Sequence, residues 1–164
     1  MVATGLYGIT NMRYKPTKAG LFLFFLVLLT LTPARAADWP MWRHDARRSA
    51  VTQTELPENL QLHWEKQFRP PRPAFPDEVR LNFDAAYQPV ASAGTVFVPS
   101  MVTDSVTAID MRTGREKWTF YTGGPVRFAP VLWRGKLYVV SDDGHLYCLD
   151  ADDGSLARKF WGGP

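Results

Sequence analysis

The C-terminal half of the chain is written twice. Ala108-Ile109-Asp110-Met111-Arg112-Thr113-Gly114 recurs as Cys148-Leu149-Asp150-Ala151-Asp152-Asp153-Gly154. Upstream, Pro89-Val90-Ala91-Ser92-Ala93-Gly94 recurs as Pro130-Val131-Leu132-Trp133-Arg134-Gly135, and downstream Gly123-Gly124-Pro125 recurs as Gly162-Gly163-Pro164. The period is about 40 residues. A unit of this size made of short apolar runs cannot bury its own faces, so it must stack on neighbours.

Each unit reads as four strands. The first copy predicts strands at 87–92, 95–99, 105–110 and 115–121, and the second at 127–133, 136–141, 145–150 and 155–161. The breaks carry turn chemistry. Ala93-Gly94 and Arg134-Gly135 read as tight turns, and Asp143-Gly144 as a hairpin, because glycine accepts positive φ without steric cost. Leu137, Val139, Leu146 and Cys148 alternate with Tyr138, Val140, Tyr147 and Leu149, so both faces are apolar and both need cover. These features predict an all-β chain: a partial β-propeller of four-stranded antiparallel blades, two blades over 85–164 plus one N-terminal strand. A closed ring takes about 4–8 blades. Further blades are therefore expected from missing sequence or other copies, the sequence reads as a fragment of a longer protein, and the end of the stack is expected to expose an apolar flank.

Three stretches precede the repeats. Residues 1–36 read as a signal peptide: Arg13, Lys15 and Lys18, then an apolar run from Leu21 to Leu31 broken by Thr30, then Ala34-Arg35-Ala36 as the cleavage motif. The run is shorter than the roughly 20 residues a membrane span needs, so no span is expected after cleavage. Met12 is an alternative start. Residues 37–68 form an N-terminal segment in which Leu60-Gln61-Leu62-His63-Trp64 alternates as a half-buried strand. Residues 69–84 open with four prolines, Pro70, Pro71, Pro73 and Pro76, which exclude helix or central strand and predict a stiff surface excursion.

The leader distorts the charge. It holds four of the 19 basic residues and none of the 16 acidic ones; the remaining chain has fifteen against sixteen, a net of −1. A nucleic-acid partner, which needs a basic patch on the folded domain, is not expected. Cys148 is the only cysteine, so no internal disulfide forms. It stands where Ala108 stands in the other copy, which predicts a small buried apolar role.

Ala108-x-Asp110-x-x-Thr113-Gly114-x-x-x-Trp118 resembles the tryptophan-docking motif of propellers related to pyrroloquinoline quinone (PQQ) enzymes, over residues 85–164. The resemblance implies that the small residue admits the neighbouring blade, that aspartate and threonine tie the turn, and that tryptophan docks between sheets. The second copy keeps Asp150 and Gly154 but has Asp153 for threonine and Arg158 for tryptophan; either Trp161, three residues on, substitutes or that blade junction is weaker. Trp39-Pro40, Ser49, Thr52-Gln53, Pro57-Glu58-Asn59-Leu60 and Trp64 resemble the mature start of quinoprotein dehydrogenases and of non-enzymatic propellers alike. The resemblance implies that His63-Trp64 is a closing strand of the last blade, with Trp64 as its docking tryptophan.

Catalytic signals are weak. An EF-hand loop starting at Asp150 needs glutamate at position 161, which is Trp161, so the acidic run reads as a turn. His44, His63 and His145 lack metal-ligand spacing. No Ser-His-Asp grouping appears, and Gly123-Gly124 lacks the strand-to-helix context of a phosphate loop. The expected function is therefore an exported, periplasmic or extracellular, binding or scaffold module with a protein or polysaccharide partner and no cofactor. The alternative is the N-terminal part of a PQQ-dependent dehydrogenase. That family uses a catalytic aspartate, calcium and adjacent cysteines beside the quinone; the cysteine pair is missing here, and Asp84 and Arg127 near strand starts have no assigned chemistry. Residues 69–77 and 101–104 depart from the repeat, and loops on a rigid scaffold commonly carry recognition.

Overall fold

A computed structural model describes residues 38–81 and 86–163. The expected signal peptide, the alternative start at Met12, Asp84, and the outermost residues of the repeats, Ala85 and Pro164, lie outside these. Among the described residues no helix is long and apolar enough to cross a membrane.

The repeats form two four-stranded antiparallel sheets, each in simple sequential order. The first blade holds β1 (Val90–Ser92), β2 (Thr95–Ser100), β3 (Ser105–Asp110) and β4 (Glu116–Tyr121); the second holds β5 (Val131–Trp133), β6 (Lys136–Val140), β7 (His145–Asp150) and β8 (Leu156–Trp161). A short 3-10 turn, Val79–Leu81, precedes them. The first strand of each blade starts later than the alternation predicts, after Pro89 and Pro130, because proline has no N–H to give a ladder. Both sheets carry a bulge at one register position, between Ala108 and Ile109 and between Cys148 and Leu149.

Register explains burial. Val90 pairs Phe97, Phe97 pairs Ala108, and Ala108 pairs Trp118, while Pro99 pairs Val106 and Val106 pairs Phe120. These residues share one face of the first blade. That face meets Leu132, Leu137, Val139, Tyr147 and Leu149 of the second blade in one continuous core. Phe120 meets Tyr147 edge to face with ring centroids 5.4 Å apart.

The equivalent face of the second blade is formed by Val131, Tyr138, Val140, Leu146, Cys148, Arg158 and Phe160. Here burial fails. Val131 is 37%, Val140 43% and Phe160 50% exposed, whereas their counterparts Val90 and Pro99 are almost fully buried and Phe120 is half-buried. All of β8 is exposed. The same positions are buried where a blade follows and open where none does, so cover comes from the neighbour and not from the blade itself. Cys148 stays buried as a free thiol between its flanking strands.

The N-terminal segment departs from expectation in two ways. Residues 60–64 form no strand, and Leu60 and Leu62 are 71% and 82% exposed. This stretch is held by side chains, with the Trp64 indole N–H donating to Met111 carbonyl and Lys66 beside Glu116. Instead, Trp39 makes a two-way backbone bridge with Ala91, and Leu132 N–H donates to Pro40 carbonyl at 2.8 Å. Residues 39–40 thus lace together the first strands of both blades.

Candidate functional site

The repeated turns build the blade junction. Asp110 Oδ1 accepts Thr113 N–H at 2.7 Å and the Thr113 hydroxyl at 2.8 Å. The Thr113 hydroxyl and backbone bonds hold the Asp110 carboxyl below its ordinary value. Gly114, at φ 68°, ends the turn. In the second copy Asp150 accepts Asp152 N–H and Lys136 Nζ, the latter at 2.8 Å. Asp153 turns inward to Ser155 N–H. The Asp150–Gly154 carboxylates are thus used by their own turn and by Lys136.

Tryptophan fills the space above each of these glycines. A Cβ on Gly154 would lie 2.6 Å from the Trp118 ring, and Trp118 Nε1–H donates to Ala151 carbonyl at 3.3 Å. Trp64 does the same one blade earlier: a Cβ on Gly114 would lie 2.8 Å from its ring, and its indole N–H donates to Met111 carbonyl at 2.6 Å. Trp64 therefore occupies the docking position without belonging to a strand. Trp161 does not substitute for the missing tryptophan. It pairs with His145, lies over Gly144 and stacks on the His145 ring at 4.8 Å, while Arg158 takes the register position of Trp118. A strand fixes which face a residue presents by its register, so a tryptophan three places away, on the other face, cannot reach the slot.

A second junction was not legible in the sequence. Asp143, in the β6–β7 turn, accepts Gly123 N–H at 2.8 Å, His145 N–H at 3.0 Å and the Tyr147 hydroxyl. Partial burial alone would raise its pKa, but the Tyr147 hydroxyl, the two backbone N–H groups and Ser141 bring it down to about 2. This carboxylate fastens the exit of the first blade to the second.

The two departures from the repeat meet. The Pro-rich excursion and the β2–β3 loop line one open cleft of about 370 Å³, with Arg72, Pro73 and Pro76 on one wall and Met101, Val102 and Asp104 on the other. Tyr87 and Arg127 both hold the excursion. The Tyr87 hydroxyl donates to Arg69 carbonyl at 2.8 Å, and Arg127, paired with Asp142 at 2.6 Å, donates to Arg72 carbonyl at 3.1 Å. Arg127 is thus a clamp for the loop. The histidines lie apart: His44 against Trp39, His63 with Nε2 2.8 Å from Arg112 carbonyl, and His145 beside Asp143. Among the described residues no three His, Cys, Asp or Glu side chains come together as a metal-binding group.

Four-stranded antiparallel sheets, stacked face to face through tryptophan on glycine, define a partial β-propeller of PQQ-like blades. The family described as outer membrane protein assembly factor BamB matches residues 39–158, and the chain belongs to this PQQ-like repeat family. Comparison with curated proteins gives no match. Among solved structures, quinohemoprotein alcohol dehydrogenase from Comamonas testosteroni is 25% identical with a TM-score of 0.59, over 82% of this chain and 21% of that one. BamB from Moraxella catarrhalis is 18% identical with a TM-score of 0.39, over 42% and 21%. A quinohemoprotein alcohol dehydrogenase from Pseudomonas putida HK5 is 26% identical with a TM-score of 0.41, over 46% and 12%. The chain therefore spans 12–21% of the length of these relatives.

Proposed function

We propose that this chain is part of an exported, periplasmic propeller that binds a protein partner through the cleft between residues 69–77 and the β2–β3 loop. One observation carries the reading: the Pro-rich excursion and the β2–β3 loop, both departures from the repeat, converge on a single cleft, and its Pro-rich wall is pinned by Tyr87 and Arg127. A proline-rich wall held in advance loses little conformational entropy on binding. Membership of the family described as an outer membrane assembly factor supports a protein partner and an exported location.

A photo-crosslinking residue at Val102 or Ala74 tests this. It should trap one discrete partner from a periplasmic extract. The same probe at Arg134, on a hairpin outside the cleft, should trap none. Equal trapping at all three positions, or none at any, overturns the reading.

The likeness to quinohemoprotein alcohol dehydrogenase favours a second reading, the N-terminal part of a quinone-dependent dehydrogenase. Cys148, the only cysteine in the sequence, is buried and is a free thiol. Dye reduction by the full-length protein after addition of PQQ and calcium would establish that reading; its absence would remove it.

A further inference from the structure

A cavity of about 530 Å³ lies between the turn at residues 41–48 and the approaches to β1 and β5. This volume is within the range of small-ligand pockets, about 300–1,000 Å³. It lies apart from the Pro-rich cleft and shares no lining residue with it.

Three features set the turn apart. The first is strain. Arg43, His44, Arg48 and Ala50 all have positive φ (57°, 78°, 56° and 56°), a backbone region that costs non-glycine residues energy. Such strain gathers at ligand clamps.

The second is rigidity. Asp45 accepts Ser49 N–H at 3.0 Å and the Ser49 hydroxyl at 2.8 Å, Ala50 N–H donates to Arg43 carbonyl at 3.0 Å, and His44 packs edge-on to Trp39, which is itself bridged to β1.

The third is the chemistry held in place. Trp42 is 46% exposed, with the guanidinium groups of Arg43 and Arg48 at 5.7 Å and 5.2 Å from its ring. Arg43, Arg47 and Arg48 against Asp45 make this turn cationic, whereas residues 37–164 as a whole are net −1; of the four, Arg48 and Asp45 line the cavity itself. Phe128, 56% exposed, and the Gln88 amide complete the walls.

We propose that this hollow binds a carboxylate-bearing sugar ring, as found in an acidic polysaccharide. The exposed Phe128 ring takes the flat C–H side of a sugar, and the Arg48 guanidinium, seated over Trp42 at the cavity wall, takes its carboxylate as a charge-assisted pair. The Gln88 Oε1 already accepts Ala129 N–H at 3.2 Å, which leaves its NH2 group to donate to ring hydroxyls. A planar aromatic acid shares the stacking and the charge but has no use for that polar wall.

Titration calorimetry of the full chain with oligogalacturonate tests the proposal, with a neutral maltooligosaccharide of equal length and benzoate as further arms. Oligogalacturonate should bind at least about tenfold more tightly than the neutral sugar, the size of one charge-assisted contact. Trp42→Ala and, on the exposed surface, Arg48→Gln should each weaken it about tenfold or more with unchanged circular dichroism. Arg134→Gln, a cation 4.3 Å from the Trp133 ring, should not change it. No oligogalacturonate binding, equal binding of the neutral sugar, tighter binding of benzoate, or an Arg48→Gln variant that binds as the parent does would each overturn the assignment.

Discussion

Substituting Gly154 by alanine isolates the docking contact, because the molecule contains its own control. Gly135 has φ 72° with nothing within 4 Å of an added Cβ, while Gly154 has φ 75° with the Trp118 ring at 2.6 Å. Both variants pay for an L-residue in the left-handed region, about 1–2 kcal/mol. Only Gly154→Ala must also displace an indole. Overpacking of this kind costs about 1–3 kcal/mol. Gly135→Ala should therefore cost about 1–2 kcal/mol and Gly154→Ala about 2–5 kcal/mol in urea unfolding followed by circular dichroism. The decisive arm is the double variant. With Trp118→Ala in place the slot is empty, so Gly154→Ala should fall to the cost of Gly135→Ala, a coupling of about 1–3 kcal/mol. Equal costs for the two glycines, or no coupling to Trp118, would refute tryptophan-on-glycine stacking as the junction.

Acid should loosen the junction at Asp143. Its hydrogen bonds hold its folded pKa down to about 2, below the ordinary 3.8 of an aspartate, so its contribution is complete above that ordinary value and is lost as pH falls from about 4 towards 2. Asp143→Asn should flatten this part of a stability–pH profile, and an unchanged profile would contradict the assignment. Trp64→Ala should destabilise the first blade and shift the Gly114 amide resonance, since the indole fills that slot from a segment with no strand of its own; an unmoved Gly114 would count against it. Lysine should discriminate the faces of β6. Val140→Lys should change stability by no more than about 0.5 kcal/mol and reduce self-association, whereas Val139→Lys, at a fully buried position, should prevent folding.

The blades were legible because their signals are local. Period, alternation and turn glycines are written within each 40-residue unit, and six of the eight strand starts agree with expectation to within one residue. The Gly114 and Gly154 turns were equally open to view, since an aspartate three or four residues before a glycine carries its own hydrogen bonds. What escaped was long-range. Nothing near Asp143 announces that it will accept Gly123 N–H from another blade. The bridge from Trp39 to Ala91 spans half a hundred residues and uses only backbone. Residues 60–64 alternate like a strand, but alternation describes a face and not a partner. Trp161 lies near the expected tryptophan in sequence, but spacing alone does not carry register; its pairing with His145 sends it to the Gly144 turn. Arg127 gave no sign of its clamp, because the carbonyl it holds belongs to a loop without periodicity.

The central claim is that residues 86–163 are two adjacent wedges held by an indole over a glycine. Proton shifts of selectively labelled glycine test it most directly. The Trp118 and Trp64 rings should shield the α-protons of Gly154 and Gly114 and move them upfield, while Gly94 and Gly135, with open space above them, keep ordinary turn values. Four glycines with the same ordinary shifts would contradict the account.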